Sequence, residues 1–350
     1  MHRFLMLVLA LPLPLRMSVN GQTSDPVPPV TPAYTCPGDS GQLAYTTSDV
    51  TLLDVVTGRV KILVAGSDSY YFDGADWSPD GKQLAFATNM GGSWGIYAVE
   101  VDQNGVAVGA PYPLFDTPDA SENRPSWSPD NQHLAYGSDE RVYIGDVSDG
   151  TSVEVGESYY YVWLPDGSAL LYIQQVDPDS ERWAIYQADP VTGESTEAVS
   201  LDYQVGIVDI SVDGKLLIYN YDPDHNGIQI LDLASGKISD LATEIGWGSW
   251  SPDGQRIVYA RGQEDNDISV MDVDGKNLNV LTEELDANIS GALIWSPDGT
   301  RIAFTPYGET YPLSNALHIV NIATHHITGY ENAHPSDTPA LWRPCAKPQQ

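Results

Sequence analysis

The chain has 350 residues, 42% of them hydrophobic, and 48 Asp and Glu against 16 Lys and Arg, which gives a net charge of −32. Such an excess of negative charge repels nucleic acid and anionic membrane surfaces and attracts cations and basic surfaces. A solvated acidic surface that keeps an exported protein soluble gives the same composition. The charge therefore argues against nucleic acid as a partner and leaves basic partners open.

The N-terminus reads as a secretory signal. Met1-His2-Arg3 is basic, and the apolar segment from Phe4 to Leu15 is too short to cross a bilayer as a helix. We expect a signal peptide over residues 1–21 and a disordered Pro/Thr-rich spacer over 22–36, followed by a folded domain over 37–350. The chain is thus predicted to be exported, to the periplasm or the cell exterior, and to be monomeric, with no transmembrane segment in its mature form.

One short sequence motif, called the Trp phrase below, repeats along the folded part of the chain. It is clearest at Trp77-Ser78-Pro79-Asp80-Gly81, and an apolar run ending in an aromatic residue follows it. Pro presets φ, Asp bonds the backbone two residues on, and Gly tolerates a left-handed conformation, so the phrase predicts a tight turn between two strands. The further copies begin at Trp127, Trp163, Trp250 and Trp295, with a decayed copy at Ile210.

The spacing of the copies indicates the architecture. Successive copies lie 36 to 50 residues apart, and each interval carries a third strand, such as Ile96–Val99, and a second turn before a short fourth strand. A period of this length with four strands predicts a propeller blade. The Trp before each turn is expected to pack between neighbouring sheets.

The first blade lacks its opening strand. Gln42–Tyr45 and Val50–Asp54 match later strands of a blade, but no Trp phrase precedes them. The missing strand is found at the other end of the chain, where Ala340–Pro344 follows the sixth copy by 47 residues, counted from Trp295 to Trp342. The sequence therefore predicts an all-β fold, a seven-bladed β-propeller of four-stranded blades, closed by the C-terminal strand joining the N-terminal blade.

These turns, with Arg124-Pro125-Ser126 before one copy, resemble the propeller repeats of TolB and related WD40-like (PD40) proteins over residues 37 to 345. The resemblance implies the propeller fold and says little about function. We expect neither the α/β domain that precedes the propeller in TolB nor the hydrolase domain that follows similar propellers in prolyl oligopeptidases. The spacer before residue 37 is short, and the chain stops at Gln350.

The two cysteines and one acidic loop are predicted to be structural. Cys36 and Cys345 stand where ring closure brings the chain ends together, and in an exported protein this placement predicts a disulfide. Asp222, Asp224 and Asn226 form the start of a calcium loop, although Leu233 replaces the Glu of an EF-hand. A Ca²⁺ clip and an ordinary acidic hairpin turn both remain open for this loop.

No catalytic residue is predicted. Cys36–Gly41 imitates the nucleophile segment of trypsin-like proteases without the upstream His and Asp, and Gly91–Gly95 imitates a hydrolase elbow but joins two predicted strands. Because some propeller lyases use histidines and a metal, an enzyme with a site in the central channel stays as an alternative.

The favoured function is binding or scaffolding on one face. Strand direction alternates within a blade, so second-to-third and fourth-to-first connections share a face opposite the Pro-Asp-Gly turns. Aromatic rings and carboxylates on this face predict a protein or peptide partner with exposed Lys or Arg, or alternatively a glycan stacked on the rings. The candidate residues are Tyr70, Tyr71, Tyr159, Tyr160, Tyr203, Trp247, Asp73, Asp119, Glu122, Asp202, Glu244 and Glu284.

Overall fold

The structure is a computed structural model that describes residues 41–118, 120–177, 182–220, 227–243, 245–261, 267–282, 288–307, 315–335 and 340–344. All regular elements in this part of the chain are strands. In chain order they are β1 (Gln42–Thr46), β2 (Val50–Asp54), β3 (Arg59–Val64), β4 (Phe72–Trp77), β5 (Gln83–Thr88), β6 (Gly95–Val101), β7 (Ala107–Phe115), β8 (Glu122–Trp127), β9 (His133–Ser138), β10 (Arg141–Asp146), β11 (Ser152–Glu157), β12 (Tyr161–Trp163), β13 (Leu170–Gln175), β14 (Trp183–Ala188), β15 (Ser195–Leu201), β16 (Val205–Ile210), β17 (Lys215–Asn220), β18 (Gly227–Asp232), β19 (Lys237–Thr243), β20 (Ile245–Trp250), β21 (Arg256–Arg261), β22 (Ile268–Asp272), β23 (Asn279–Val280), β24 (Asn288–Trp295), β25 (Arg301–Tyr307), β26 (Leu317–Asn321), β27 (Ile327–Tyr330) and β28 (Leu341–Trp342).

The strands form seven antiparallel sheets of four, which are the seven blades. Six blades use four consecutive strands, from β4–β7 to β24–β27, whereas the first has the order β28-β1-β2-β3. In that blade Leu43 pairs with Trp342 and Ala44 with Leu341. The all-β class, the seven blades and the closure by the C-terminal strand are therefore confirmed.

The blades surround a central channel. The first strand of each blade contacts the first strand of a neighbouring blade, as β4 does with β8 and with β28, so these strands form the inner ring. The hydrophobic core lies between blades: Leu52 of blade one, for example, packs in one cluster with Trp77 and Phe86 of blade two. The predicted packing of each repeat Trp between sheets is confirmed, because the Trp side chains at 77, 127, 163, 250, 295 and 342 are all buried.

Strand alternation divides the loops between two faces. The face formed by the first-to-second and third-to-fourth turns is called the turn face, and the opposite face, formed by the second-to-third and fourth-to-first connections, the connection face. The turn face includes 55–58, 78–82, 102–106, 128–132, 147–151, 164–169, 189–194, 211–214, 233–236, 251–255, 273–278, 296–300 and 322–326. The described connection-face loops include 47–49, 65–71, 89–94, 116–118, 139–140, 158–160 and 202–204.

The innermost strands carry irregularities that the repeat pattern did not predict. Their pairing with the second strand shifts register at Asp73/Ala75, Asn123/Ser126, Ile207/Asp209, Ile245/Trp247 and Ser290/Ile294. A bulge leaves one residue unpaired and turns its neighbours, so it changes which side chains face the channel.

Within the described residues, no helix has the length and apolar character needed to cross a membrane.

Candidate binding face

The carboxylates of the turn face are used by the turns themselves. Asp166 accepts hydrogen bonds from the Ser168 hydroxyl at 2.6 Å and the Ser168 backbone N–H at 3.0 Å, and these bonds lower its pKa. Asp189 accepts the backbone N–H groups of Thr192 and Val191 and the Thr192 hydroxyl, which lower its pKa in the same way. Side chains committed to their own turns offer less to a partner.

Buried arginines connect the turn face from blade to blade. Arg343, which follows β28, donates to the carbonyls of Gly81, Val101 and Asp102 and to Oε1 of Gln42, at 2.7 to 2.9 Å. Its guanidinium lies 5.1 Å from the centre of the Trp77 ring. Burial lowers the pKa of Arg343 from its usual value. One side chain thus joins blade one to blade two at the point of closure.

The same arrangement recurs in the two preceding blades. The guanidinium of Arg256 lies 5.1 Å from the Trp295 ring centre, and that of Arg301 lies 4.9 Å from the Trp342 ring centre. Arg256 is buried and donates to the carbonyl of Gly299 at 3.2 Å. Cation–π contacts of this kind strengthen when they are shielded from water. The turn face is therefore a structural surface, at least through blades six, seven, one and two.

On the connection face, four of the predicted binding residues are exposed, and one of them is Asp202. Tyr71 is 62% exposed and Tyr159 is 55% exposed. Asp73, two residues after Tyr71, is also exposed, and its carboxylate accepts only the adjacent N–H of Gly74 among the bonds described, at 2.8 Å. These side chains are available to a partner, and their role in binding remains a prediction.

Other predicted residues are used by the protein itself. Tyr70 packs edge-to-face on Phe72 and donates to the carbonyl of Ala65, and Tyr203 donates to Gln229. Tyr160 packs against the core between blades four and five. Glu122 is 1% exposed, with one carboxylate oxygen accepting the N–H of Thr117. Fewer of the predicted residues are therefore available to a partner than the sequence suggested. Glu122, for example, cannot present its carboxylate at the surface.

The remaining predictions fall outside the description. Asp119, Glu244 and Glu284 lie outside the described residues, and of Trp247 only the backbone is described. The disulfide residues Cys36 and Cys345 and the calcium residues Asp222, Asp224 and Asn226 also lie outside them. Mass spectrometry of an unreduced digest would test the disulfide, and calcium calorimetry on the wild type and Asp224→Ala would test the loop.

Exposed large apolar side chains differ in kind between the faces. Among described residues, the three exposed aromatic ones, Tyr71, Tyr159 and Tyr307, are all at the connection face. Those on the turn face are aliphatic and lie on separate blades. They are Val56, Val106, Val191, Val212 and Leu278.

Two carboxylates line the inner ring at equivalent positions. Asp76 and Asp209 precede the repeat position in blades two and five, and each accepts the backbone N–H of the Trp in the next blade at 2.7 Å, Trp127 and Trp250 respectively. Burial raises the pKa of Asp76 to about 7 and that of Asp209 to about 6, while these N–H bonds oppose the rise. Both carboxyl groups link neighbouring blades.

The residues considered for catalysis are dispersed. Within the described part of the chain, no three His, Cys, Asp or Glu side chains are grouped as a metal site would need. His318 is buried in blade seven with Nδ1 beside the carbonyl of Ala316, and His325 lies at a turn-face loop. Gly91–Gly95 joins β5 to the start of β6 as a hairpin connection, as the sequence predicts.

The sequence matches no protein-family profile and no curated protein sequence. Solved structures similar in shape include an oligogalacturonate lyase in complex with manganese, at 17% identity and a TM-score of 0.61, with 83% of each chain covered. A putative TolB from Agrobacterium tumefaciens is 18% identical with a TM-score of 0.51, covering 67% of this chain and 90% of that one.

A puromycin hydrolase gives a TM-score of 0.60 at 13% identity, covering 84% of this chain and 52% of the hydrolase. The similar structures thus include enzymes as well as TolB. Sequence identities this low establish a shared fold and nothing more. The TolB-like resemblance seen in the repeats is confirmed at that level: the chain shares the β-propeller fold of these proteins.

Proposed function

We propose that the chain is an exported binding propeller whose connection face takes a protein or peptide partner with exposed Lys or Arg. The observation that carries the proposal is the exposure of Tyr71 and Tyr159 on that face. Tyr rings give a partner a large, rigid contact area at a small cost in side-chain entropy. The other face holds no exposed large aromatic side chain among the described residues.

Charge supports a basic partner. Exposed carboxylates accompany the two rings. Asp68 and Asp73 flank Tyr71, and Glu140 lies beside Tyr159. The hydrogen bond to Glu140 raises the pKa of the Tyr159 hydroxyl. With a net charge of −32, the whole chain also attracts cations over a longer range. Complementary charge speeds association and selects partners more than it adds affinity.

A peptide pair tests the proposal. The probe is an acetylated, amidated peptide of alternating Lys and Phe, and its matched control has Glu in place of each Lys. We expect the Lys peptide to bind in fluorescence polarisation and the Glu peptide to bind at least tenfold more weakly. Tyr71→Ala with Tyr159→Ala should weaken binding of the Lys peptide about tenfold or more, as loss of aromatic anchors does at other interfaces.

The matched control removes exposed apolar side chains from the other face. Val56 is 76% exposed and Val191 is 72% exposed, both in turn-face loops, so Val56→Ala with Val191→Ala should leave binding unchanged. Both double variants should keep the melting temperature of the wild type. Equal loss in the two variants, or equal binding of the Lys and Glu peptides, would contradict the proposal.

The same assay separates the two alternatives left by the sequence. A neutral oligosaccharide that binds through Tyr71 and Tyr159 while the Lys peptide does not would favour the glycan-binding propeller. An enzyme with a site in the channel would depend on inner-ring residues, so binding that is lost in Asp76→Asn and kept in the Tyr double variant would favour it.

A further inference from the structure

A small polar pocket lies on the connection face between blades three and four. Its lining includes Arg124 of β8, Glu140 in the connection 139–140 and Arg141 at the start of β10, together with Tyr159 in the connection 158–160 and Tyr161 at the start of β12. The cavity volume is about 30 Å³, room for one or two waters or a group of similar size.

Arg124 spans the gap between the two blades. Its Nη1 donates to the carbonyl of Tyr159 at 2.8 Å, and its guanidinium lies 5.9 Å from the centre of the Tyr159 ring. The Tyr161 hydroxyl donates back to the carbonyl of Arg124. A guanidinium has five N–H donors, so the bond to Tyr159 leaves most of them for another acceptor.

The second arginine of the pocket is already paired. Arg141 forms ion pairs with Glu154 and, at 3.7 Å, with Glu157. Arg124 is exposed, and no ion pair joins it to a carboxylate in the described part of the chain. The pocket therefore offers one guanidinium that is not held in an ion pair, although Glu140 also lines the pocket.

The backbone of Arg124 is strained. Seven described residues other than Gly have positive φ, and three of these are Asn, which tolerates it. Asp139 at 49° and Glu140 at 69° form the two-residue turn between β9 and β10, in which positive φ at both positions is usual. Arg124, at 51° within β8, has no such turn to account for it, and its conformation persists only because its surroundings hold it.

The strain at Arg124 is fixed by its neighbours. A Cβ added to Gly74, itself at φ 47°, would lie 3.3 Å from Cα of Arg124 and 3.4 Å from the ring of Pro125. The inner strand of blade two thus packs closely on the bulge of β8, while Tyr161 holds it from blade four. The guanidinium is presented from a position that three blades define.

We infer that this pocket binds a carboxylate group of a peptide, with Arg124 as its main ligand. The planar fork of N–H donors suits the two oxygens of a carboxylate. A doubly charged phosphate fits less well, because the pocket is small and Glu140, Glu154 and Glu157 stand near it. Tyr159, exposed beside the guanidinium, gives the rest of the peptide an aromatic surface. The inference goes beyond the proposed function, since it concerns a group of opposite charge.

Three tripeptides without basic groups test it. The probes are acetyl-Ala-Ala-Ala as the free acid, the same peptide as the C-terminal amide, and acetyl-Ala-Glu-Ala-amide. Binding of each is measured by NMR titration from the chemical shifts of the protein's backbone N–H groups. We expect at least one acid to bind about fivefold more tightly than the amide, the worth of one exposed ion pair of about 1 kcal/mol. The acid that binds shows whether a chain terminus or a side chain supplies the carboxylate.

Variants assign the effect. Arg124→Gln should abolish the preference for the acid, and Arg124→Lys should restore part of it. Arg182→Gln is the matched control, because it removes the same charge from an exposed arginine that already bonds Glu197 at 2.9 Å, and it should keep the preference. Glu140→Gln should strengthen it by removing a nearby negative charge.

The result can also overturn the inference. Equal binding of acids and amide, no shift with any peptide up to its solubility limit, or a preference that survives Arg124→Gln would do so. None of these tripeptides carries a basic group. Failure of the tripeptide test therefore leaves the Lys-peptide test unaffected, and failure of the Lys-peptide test leaves the tripeptide test unaffected.

Discussion

The two faces of the propeller come from the same repeat yet differ in how their side chains are used. On the turn face, Asp side chains bond their own turns, and Arg256 and Arg343 are buried across blade boundaries. On the connection face, Tyr71 and Tyr159 are exposed. The difference teaches that polar side chains of the turn face are largely used by the protein's own structure, whereas the connection face also leaves aromatic rings and nearby carboxylates exposed.

This comparison predicts that substituting turn-face side chains that bond within the protein lowers stability, and that substituting the exposed connection-face rings lowers binding. The largest effect is expected for Arg343→Met, which keeps an apolar stem but removes the donor to the carbonyls of Gly81 and Val101, while the carbonyl of Asp102 keeps the N–H of Gly105. We expect the free energy of unfolding to fall by about 3 to 5 kcal/mol, since each buried unpaired acceptor is costly. Urea unfolding measures it.

The control for this prediction is Arg59→Met, which removes an exposed arginine at the edge of the same face. Its effect should stay within about 0.5 kcal/mol. If both variants lost the same stability, the network around Arg343 would not be what holds the closure.

The second prediction concerns pH. Because burial raises the pKa of Asp76 to about 7 and of Asp209 to about 6, the folded chain binds more protons than the unfolded chain above pH 4. Their contribution to stability is therefore fully present below about pH 4 and is lost as pH rises through 6 to 7. The slope is at most about 1.4 kcal/mol per pH unit for each carboxyl group.

Unfolding measured between pH 4.5 and 7.5 checks this sign. Asp76→Asn with Asp209→Asn should flatten the fall in stability, because an amide does not titrate and its oxygen can still accept the Trp N–H. The turn-face carboxylates Asp166 and Asp189 have lowered pKa values and act in the opposite direction at lower pH. An unchanged slope in the double variant would show that the inner-ring carboxyl groups do not titrate in this range.

A smaller effect is expected from a single turn. Asp298 accepts the Ser296 hydroxyl at 2.5 Å and the N–H and hydroxyl of Thr300 at 3.0 and 2.8 Å. Asp298→Ala should cost about 1 to 2 kcal/mol of unfolding free energy. Asp68→Ala, at an exposed position of the connection face, should cost less than about 0.5 kcal/mol. Similar losses at both positions would remove the distinction between the faces.

Much of the fold could be predicted because the repeat carries its own physics. The Trp-Ser-Pro-Asp-Gly turns located the ends of the strands. The partial first blade together with Trp342 indicated that the C-terminal strand closes the ring. The bulges could not be predicted, since they depend on close approach between inner strands, as Gly74 meets Arg124. Burial of Glu122 was missed for the same reason: a Glu after a loop reads as exposed until the neighbouring connection covers it.

Some structural residues did leave a signal. Arg256 and Arg301 stand at the same distance after their Trp, six positions on, and each stacks on the Trp of the following blade. Aligning the repeats would have singled out this position. The different exposure of Tyr70 and Tyr71 could not be predicted from the sequence. They are adjacent residues of one type, and only the path of their loop makes one packed and the other exposed.

Hydrogen exchange with mass spectrometry, in the presence and absence of the Lys peptide, tests the division between the faces most directly. The account predicts slower exchange in the connection-face loops 65–71 and 158–160 when the peptide is bound, with no change in the turn-face loops 55–58 and 189–194. Protection confined to the turn-face loops, or equal protection of both faces, would contradict it.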